Sequence, residues 1–217
     1  MTAYSYSSLK QFSNCPRNYY ETKVLKKWQQ AKTEQIIYGE AVHKALEDHI
    51  KSDIPLGPHE RFAGVAATIK ALPGRKITEY KMAVDSDLNP CDFFSKDVFM
   101  RGVADVTVVN TPKALVIDYK SGKANYPDPD QLELMSLMLF RHLPEVEQIK
   151  GALLFILYDK VITANYDRKN SRAGWIKWIA KTEEVEKAAE RGIFRELPSG
   201  LCGWCPVKDC PHHKERR

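Results

Sequence analysis

Asp118 and Lys120 stand two residues apart at the end of the apolar run Leu115-Val116-Ile117-Asp118-Tyr119-Lys120. Side chains alternate along a strand, so both project from one face with Val116, while Leu115, Ile117 and Tyr119 take the other. A carboxylate and an ammonium placed there cost desolvation energy that a purely structural strand does not need. Asp105 interrupts a second good strand sequence, Arg101 to Val109, and a short turn between the runs can set it beside Asp118. Two neighbouring carboxylates repel unless a cation lies between them. A hard divalent cation such as Mg²⁺ or Mn²⁺, bound through oxygen, answers that repulsion. Lys120 beside it can stabilise charge on an attacked phosphate or position the attacking water. Taken alone, an Asp-x-Lys pair is also a common surface ion pair. Glu79 either reaches the same cleft or is solvated. His43, set between Val42 and Leu46, reads by itself as a packed boundary histidine, and Gln131 as a first-turn helix residue.

A second constellation is Cys202, Cys205 and Cys210, with the spacing C-x₂-C-x₄-C. A tight loop of that kind can turn its thiolates onto one metal centre. The fourth ligand is open among His212, His213 and the distant Cys15. Cys91 has no partner in its neighbourhood of the sequence. The segment Ser121-Gly122-Lys123-Ala124 mimics half of a P-loop, but Ala124 follows the lysine and Ile117 stands where the first glycine belongs, which excludes an NTP-driven helicase.

These residues need elements to hold them. The chain has 217 residues, 43% of them hydrophobic and 28% charged, enough for a packed core without a disulfide scaffold. The formal net charge of +5 mildly favours an acidic partner such as nucleic acid. The N-terminus lacks an apolar leader segment and no apolar run is long enough to span a bilayer, so a cytosolic place is expected, or the host cytosol for a phage protein. Cysteines in a reducing compartment favour metal binding or catalysis over disulfides.

Periodicity predicts helix and loop over residues 1–40, with Ser13 or Asn14 as caps and Pro16 near a helix start, then helices over 39–50 and 61–72. Strands are expected over 76–84, 98–109 and 114–119, the last two joined by a turn at 110–113. A helix over 130–143, an apolar strand over 151–158 and a charged helix over 171–191 follow, before a Cys- and Pro-rich tail. The order implies an α/β layer fold with helices packed on a small mixed sheet. It forms one domain: a helical part (1–75), an α/β core (76–160), and a C-terminal helix and tail (161–217). Tyr4, Tyr6, Tyr19 and Tyr20 lie among Lys10, Arg17, Lys23, Lys26, Lys27 and Trp28. That mixture suits either a single-stranded nucleic-acid path or a helix with an aromatic core face and a solvated basic face. Trp175 and Trp178 read as core packing.

Read in order, residues 5–20, 39–50, 101–109, 115–124 and 130–139, with the terminal cysteines, resemble the PD-(D/E)XK nuclease superfamily. They are most similar to its RecB-like branch of CRISPR-associated and phage exonucleases. The resemblance covers nearly the whole chain. It implies a restriction-endonuclease-like core and hydrolysis of DNA, with single strands or free ends preferred. It implies His43, Asp105 and Asp118 as side-chain metal ligands, the Tyr119 carbonyl as a further one, and Lys120 as the catalytic lysine. Gln131 matches the glutamine of a later motif, although Met135 stands where a tyrosine usually follows. Glu79 matches a supporting strand acid. Cys15, Cys202, Cys205 and Cys210 are implied to hold a [4Fe-4S] cluster that joins the chain ends, with structural Zn²⁺ as the rival. The implied partners are DNA and a recombination, replication or CRISPR-adaptation protein. A catalytically silent nucleic-acid-binding subunit on the same fold is the alternative.

Overall fold

The computed structural model describes residues 3–122 and 127–214. In chain order the elements are helices α1 (Tyr6–Asn14), α2 (Pro16–Tyr19), α3 (Glu34–Ser52) and α4 (Ala63–Ala71), then strands β1 (Arg75–Val84), β2 (Met100–Asn110) and β3 (Lys113–Lys120). Helix α5 (Asp130–His142), strands β4 (Gln148–Phe155) and β5 (Lys160–Asp167), and helix α6 (Ser171–Arg191) complete them. Contacts cluster into two compact units. One holds Thr33–Trp175, and the other holds Tyr4–Lys32 with the segment from Ile176.

The first unit is built on a mixed five-stranded sheet in the order β1-β2-β3-β4-β5. β1, β2 and β3 form an antiparallel meander, β4 joins β3 in parallel after α5, and β5 returns antiparallel to β4. Alternation decides what each face buries. Ile117 and Tyr119 pack with Val106, Val108 and Ala152 against Val42, Leu46 and Ile50 of α3 and Ala66 and Ile69 of α4. Leu153 and Phe155 pack against Leu132 of α5. Nearly every residue of α5 from Leu132 to Phe140 is buried, as expected of a helix apolar on all sides. Two glycines mark close approaches. A Cβ at Gly102 would come within 2.6 Å of Met138 on α5, and one at Gly151 within 3.0 Å of Leu132.

The second unit brings the two ends of the chain together. Arg17 Nη1 pairs with Glu196 Oε1 at 2.6 Å, Lys27 Nζ with Asp209 Oδ2 at 2.5 Å, and Tyr4 OH donates to Glu186 Oε1 at 3.3 Å. Tyr20 stacks on Phe194 at 4.2 Å and Tyr6 meets Trp178 edge-on at 6.2 Å.

Several expectations change. Strand β5 lies in a stretch with no expected element. It is an edge strand with none of its residues buried, so its apolar signal is weak. The apolar strand expected over 151–158 begins earlier and ends at Phe155, because Ile156 to Asp159 form the turn into β5, with Asp159 at a positive φ. Helix α3 starts five residues earlier than expected, where the Thr33 side chain accepts from Ile36 N. Ser13 and Asn14 close α1 rather than capping a helix. Ser5 caps α1 in a reciprocal box with Ser8, and Pro16 opens α2 as expected. Among the described residues no helix is long and apolar enough to cross a membrane.

Candidate active site

The pairing of β1 with β2 runs from Arg75↔Val109 to Val84↔Met100, and the pairs flanking Glu79 set it opposite Asp105. The ladder between β2 and β3 ends at Val106↔Ile117, and one further step sets Asp105 opposite Asp118. Three carboxylates thus share one row across three strands. At that row the sheet opens: β2 continues with β1 alone, and β3 continues with β4 through Lys120↔Phe155. The freed backbone N–H of Tyr119 donates to Asp105 Oδ2 at 2.6 Å, so a side chain replaces the missing ladder bond. Glu79 holds a positive φ of 47°, a strained conformation for a non-glycine residue within a strand.

Asp118, Lys120 and Gln131 close a ring of contacts. Lys120 Nζ lies 2.6 Å from Asp118 Oδ2, and it donates to Gln131 Oε1 at 2.6 Å. Gln131 Nε2 in turn donates to Asp118 Oδ1 at 2.5 Å. Helix α5 carries Gln131 in its first turn, which places the amide over β3. From α3, His43 Nδ1 lies 3.4 Å from Asp105 Oδ1 and its ring meets Tyr119 edge-on at 5.5 Å. One turn earlier, Gly39 leaves room for Ser121, whose Oγ would sit 2.5 Å from an added Cβ. The spacing Gly-x-x-x-His therefore has a spatial reason: the glycine admits the chain just beyond Lys120, and the histidine follows on the next turn.

Burial dominates the electrostatics. The Asp118 side chain is 7% exposed. Desolvation pushes its carboxyl up to about 6, with Lys120 opposing the rise and Asp105 adding to it. Burial pushes Glu79 up as well, helped by the charges of Asp105 and Glu47. Burial pulls the His43 imidazole down, but the hydrogen bond and charge of Asp105 outweigh it and leave the group above its ordinary value. Glu47 was not evident in the sequence. It lies one turn beyond His43 on α3 with its side chain 15% exposed, and that i, i+4 spacing is the signal that marks it.

Asp118 Oδ2 is buried, with the Lys120 ammonium 2.6 Å away and no other hydrogen-bonded partner among the described residues. A set of carboxylate oxygens with one imidazole suits a hard divalent cation. The side chains are ion-paired rather than converged, and among the described residues no group of three or more His, Cys, Asp or Glu is arranged to hold a metal. Lys123 and Ala124, at the end of the segment 115–124, lie outside the described residues.

In the second unit, Cys15, Cys202, Cys205 and Cys210 all border one cavity of about 290 Å³, together with His212 and His213. Asn18 Nδ2 donates to Cys205 Sγ at 3.0 Å and Ser199 N to Cys202 Sγ at 3.3 Å. All five cysteines are free thiols, and they are not drawn into a metal-holding group. The N-terminal aromatic residues take the core reading. Tyr4 and Tyr19 are buried, Tyr20 is stacked on Phe194, and Arg17 and Lys27 face Glu196 and Asp209. Trp175 and Trp178 are buried as expected.

Two solved structures share this architecture. The chain is similar to the protein SSO0001, with a TM-score of 0.52 and 13% identity, over 99% of this chain and 88% of that one. It is similar to a protein of Eubacterium rectale described as a candidate exonuclease, with a TM-score of 0.55 and 14% identity, over 96% and 88%. At such identities the likeness shows the fold alone. Among curated protein sequences none gives a significant match. The family model of the PD-(D/E)XK nuclease superfamily matches residues 3–74 and 59–210. With the acid row at the opening of the sheet and the Asp-x-Lys pair on β3, this chain belongs to the PD-(D/E)XK nuclease superfamily.

Proposed function

We propose that this nuclease is a divalent-metal-dependent deoxyribonuclease that hydrolyses phosphodiester bonds from the ends of DNA, with single strands preferred. The observation that carries this reading is the row Glu79, Asp105, Asp118 at the sheet opening, with Lys120 and Gln131 locked to Asp118. Asp105, Asp118, His43 and the Tyr119 carbonyl would hold Mg²⁺ or Mn²⁺, which family members typically use. When bound, the cation supplies Lewis-acid polarisation of the phosphate and a more acidic water. The chain's own groups do the rest. Lys120 Nζ is the cation placed to orient the attacking water or to balance charge as a fifth oxygen joins phosphorus. Gln131 fixes Lys120 and Asp118 relative to each other. Asp105 holds the backbone of Tyr119 through its N–H and faces His43. Glu79 adds negative charge beside Asp105 that raises the field at the site.

The test is digestion of end-labelled linear and circular DNA, single- and double-stranded, with Mg²⁺ or Mn²⁺. Linear single strands are expected to shorten from an end with either metal and to persist in EDTA, while circles persist throughout. A folded protein that binds DNA but cuts none of these substrates would be the silent binding subunit instead. The biological partner proposed with this activity is a recombination, replication or CRISPR-adaptation protein.

The cysteine set is proposed to hold a structural [4Fe-4S] cluster through Cys15, Cys202, Cys205 and Cys210, in preference to Zn²⁺ with His212 or His213. Four soft sulfur donors bordering one cavity support a thiolate centre. Anaerobically purified protein is expected to be brown, to absorb near ~400 nm, and to carry iron and sulfide. A colourless protein with one zinc would overturn the cluster.

A further inference from the structure

The connection from β1 to β2 presents two adjacent phenylalanines. Phe94 is 73% exposed, more than any other large hydrophobic side chain among the described residues. Phe93 meets it edge-on, with ring centroids 5.1 Å apart and an interplanar angle of 80°. Two cations flank the rings. Lys81 Nζ of β1 lies 5.9 Å from the Phe93 centroid and 5.4 Å from that of Phe94, and Arg101 Cζ of β2 lies 5.2 Å from Phe93.

Three features make this more than an accident of exposure. An apolar ring held in water is unfavourable unless something covers it. Its presentation is also fixed: Phe94 N donates to Asp92 Oδ1 at 2.8 Å, Ser95 N to Asp92 O at 3.0 Å, and Asp97 N to Ser95 Oγ at 3.2 Å. Finally, among the described residues neither Lys81 nor Arg101 forms an ion pair with a carboxylate; Arg101 Nη1 donates to the Phe93 carbonyl at 3.5 Å and Lys81 Nζ stands over the rings. Asp85 and Asp92 accept instead from backbone N–H groups of the turns. Two cations that make no direct ion pair, set against two rings, suit a ligand with flat apolar faces and phosphate charge, even with Asp85, Asp92 and Asp97 in the same connection. Unpaired nucleobases on a phosphodiester backbone meet that description. A stacked duplex does not, because its base faces are covered.

The placement fits a substrate that passes through the acid row. Lys81 is two residues from Glu79 on β1, and Arg101 is four residues from Asp105 on β2. At the rise of a strand these are separations of about 7 Å and about 13 Å. With about 3.4 Å per stacked nucleotide, a single strand covers them in roughly two to four steps.

We propose that Phe93, Phe94, Lys81 and Arg101 form a stacking platform that holds the single-stranded part of a nucleic-acid substrate a few nucleotides from the cleaved phosphate. The bases lie on Phe94 and the phosphates face Lys81 and Arg101. This deepens the nuclease reading and rests on it. The sequence did not signal the platform, because residues 92–97, which hold both phenylalanines, lie between the expected strands and carry no periodic pattern.

The experiment compares wild type with Phe94→Ala, Phe94→Trp and the double variant Lys81→Ala/Arg101→Ala. Binding of a fluorescent 20-nucleotide thymidine oligomer is measured in EDTA, and cleavage of the same oligomer and of thymidine 5′-p-nitrophenyl phosphate is measured with Mn²⁺. Loss of one base stack is expected to weaken binding about tenfold in Phe94→Ala. Phe94→Trp should restore it and show indole fluorescence quenched by the oligomer. The double variant should lose affinity and a large part of its salt dependence. The nitrophenyl ester, too short to reach the platform, should be cleaved at the wild-type rate by every variant. Unchanged oligomer affinity in Phe94→Ala and in the double variant would overturn the platform while leaving the nuclease intact. If wild type cleaves neither substrate, the nuclease reading itself fails.

Discussion

Asp118→Ala and Lys120→Ala are each expected to lower DNA cleavage by about 10³-fold or more while leaving the protein folded. Lys120 Nζ, Asp118 and Gln131 form one closed arrangement at the sheet opening. Removing the carboxylate takes away both the buried oxygen paired with Lys120 and the one held by Gln131, the donors proposed to face the cation. Removing the ammonium takes away the only side-chain cation of that ring. Neither change need unfold the sheet. The row lies at the end of the β2–β3 ladder, and β3 keeps its pairing with β4. The two variants should also differ from each other. Asp118→Ala should lose the stabilisation that divalent cations give the wild type, read as the melting-temperature shift on adding Mn²⁺. Lys120→Ala should retain that shift and lose kcat with little change in KM, as expected for a group that acts on the transition state. Circular dichroism on both variants establishes that the fold survives. Undiminished cleavage by both would refute the mechanism.

The placement of Asp118 and Lys120 beside Asp105 was legible because it obeys a local rule. With a period of two, Asp118 and Lys120 must share a face wherever β3 goes, and a four-residue turn leaves little choice about which strand carries Asp105 to meet them. Gln131 is different. Its amide reaches Asp118 only because α5 returns over β3, and no local pattern states where a helix returns. The methionine at position 135 argued against the motif, yet the ring with Asp118 and Lys120 does not involve Met135 at all. Glu47 joins the site through the length and pitch of α3, visible only once His43 has a role. The N-terminal aromatic residues show the limit most sharply. Tyrosines among lysines are the same signature for a stacked nucleic acid and for a packed helix. The decision fell to Phe194, which stacks on Tyr20 from 174 positions away in the chain. The reverse holds for Phe93 and Phe94. Their turn-rich surroundings hid an aromatic pair whose cations come from two different strands.

Metal-free wild-type protein is expected to lose about 3 kcal/mol of stability as the pH rises from about 4 to about 6, relative to Asp118→Asn. Burial raises the folded-state pKa of Asp118 from 3.8 to about 6. Below pH 4 the carboxyl is neutral in both folded and unfolded chains, and the stability is fully present. Between those values the unfolded chain releases its proton to water while the folded chain keeps it. Above pH 6 the folded protein must hold a buried charge that the unfolded chain solvates freely. Stability therefore falls with rising pH, the opposite of the usual paired carboxylate. Other groups also titrate. Glu79 shifts in the same direction, and the exposed ion pairs of Asp53, Glu196 and Asp209 shift oppositely. Those four are not coupled to Asp118 and cancel in the difference between wild type and Asp118→Asn, whereas His43, which the Asp118 charge helps to hold up, adds a further fall in wild-type stability as it deprotonates. Urea denaturation in EDTA across pH 4–8 reads that difference directly. Mg²⁺ or Mn²⁺ should then restore wild-type stability above pH 6, because a cation that binds only the folded state compensates the buried charge. The asparagine variant, stable without metal, should gain far less. A difference that stays flat with pH, or a variant that responds to metal as strongly as wild type, would show that Asp118 is not the buried charge the cation is there to meet.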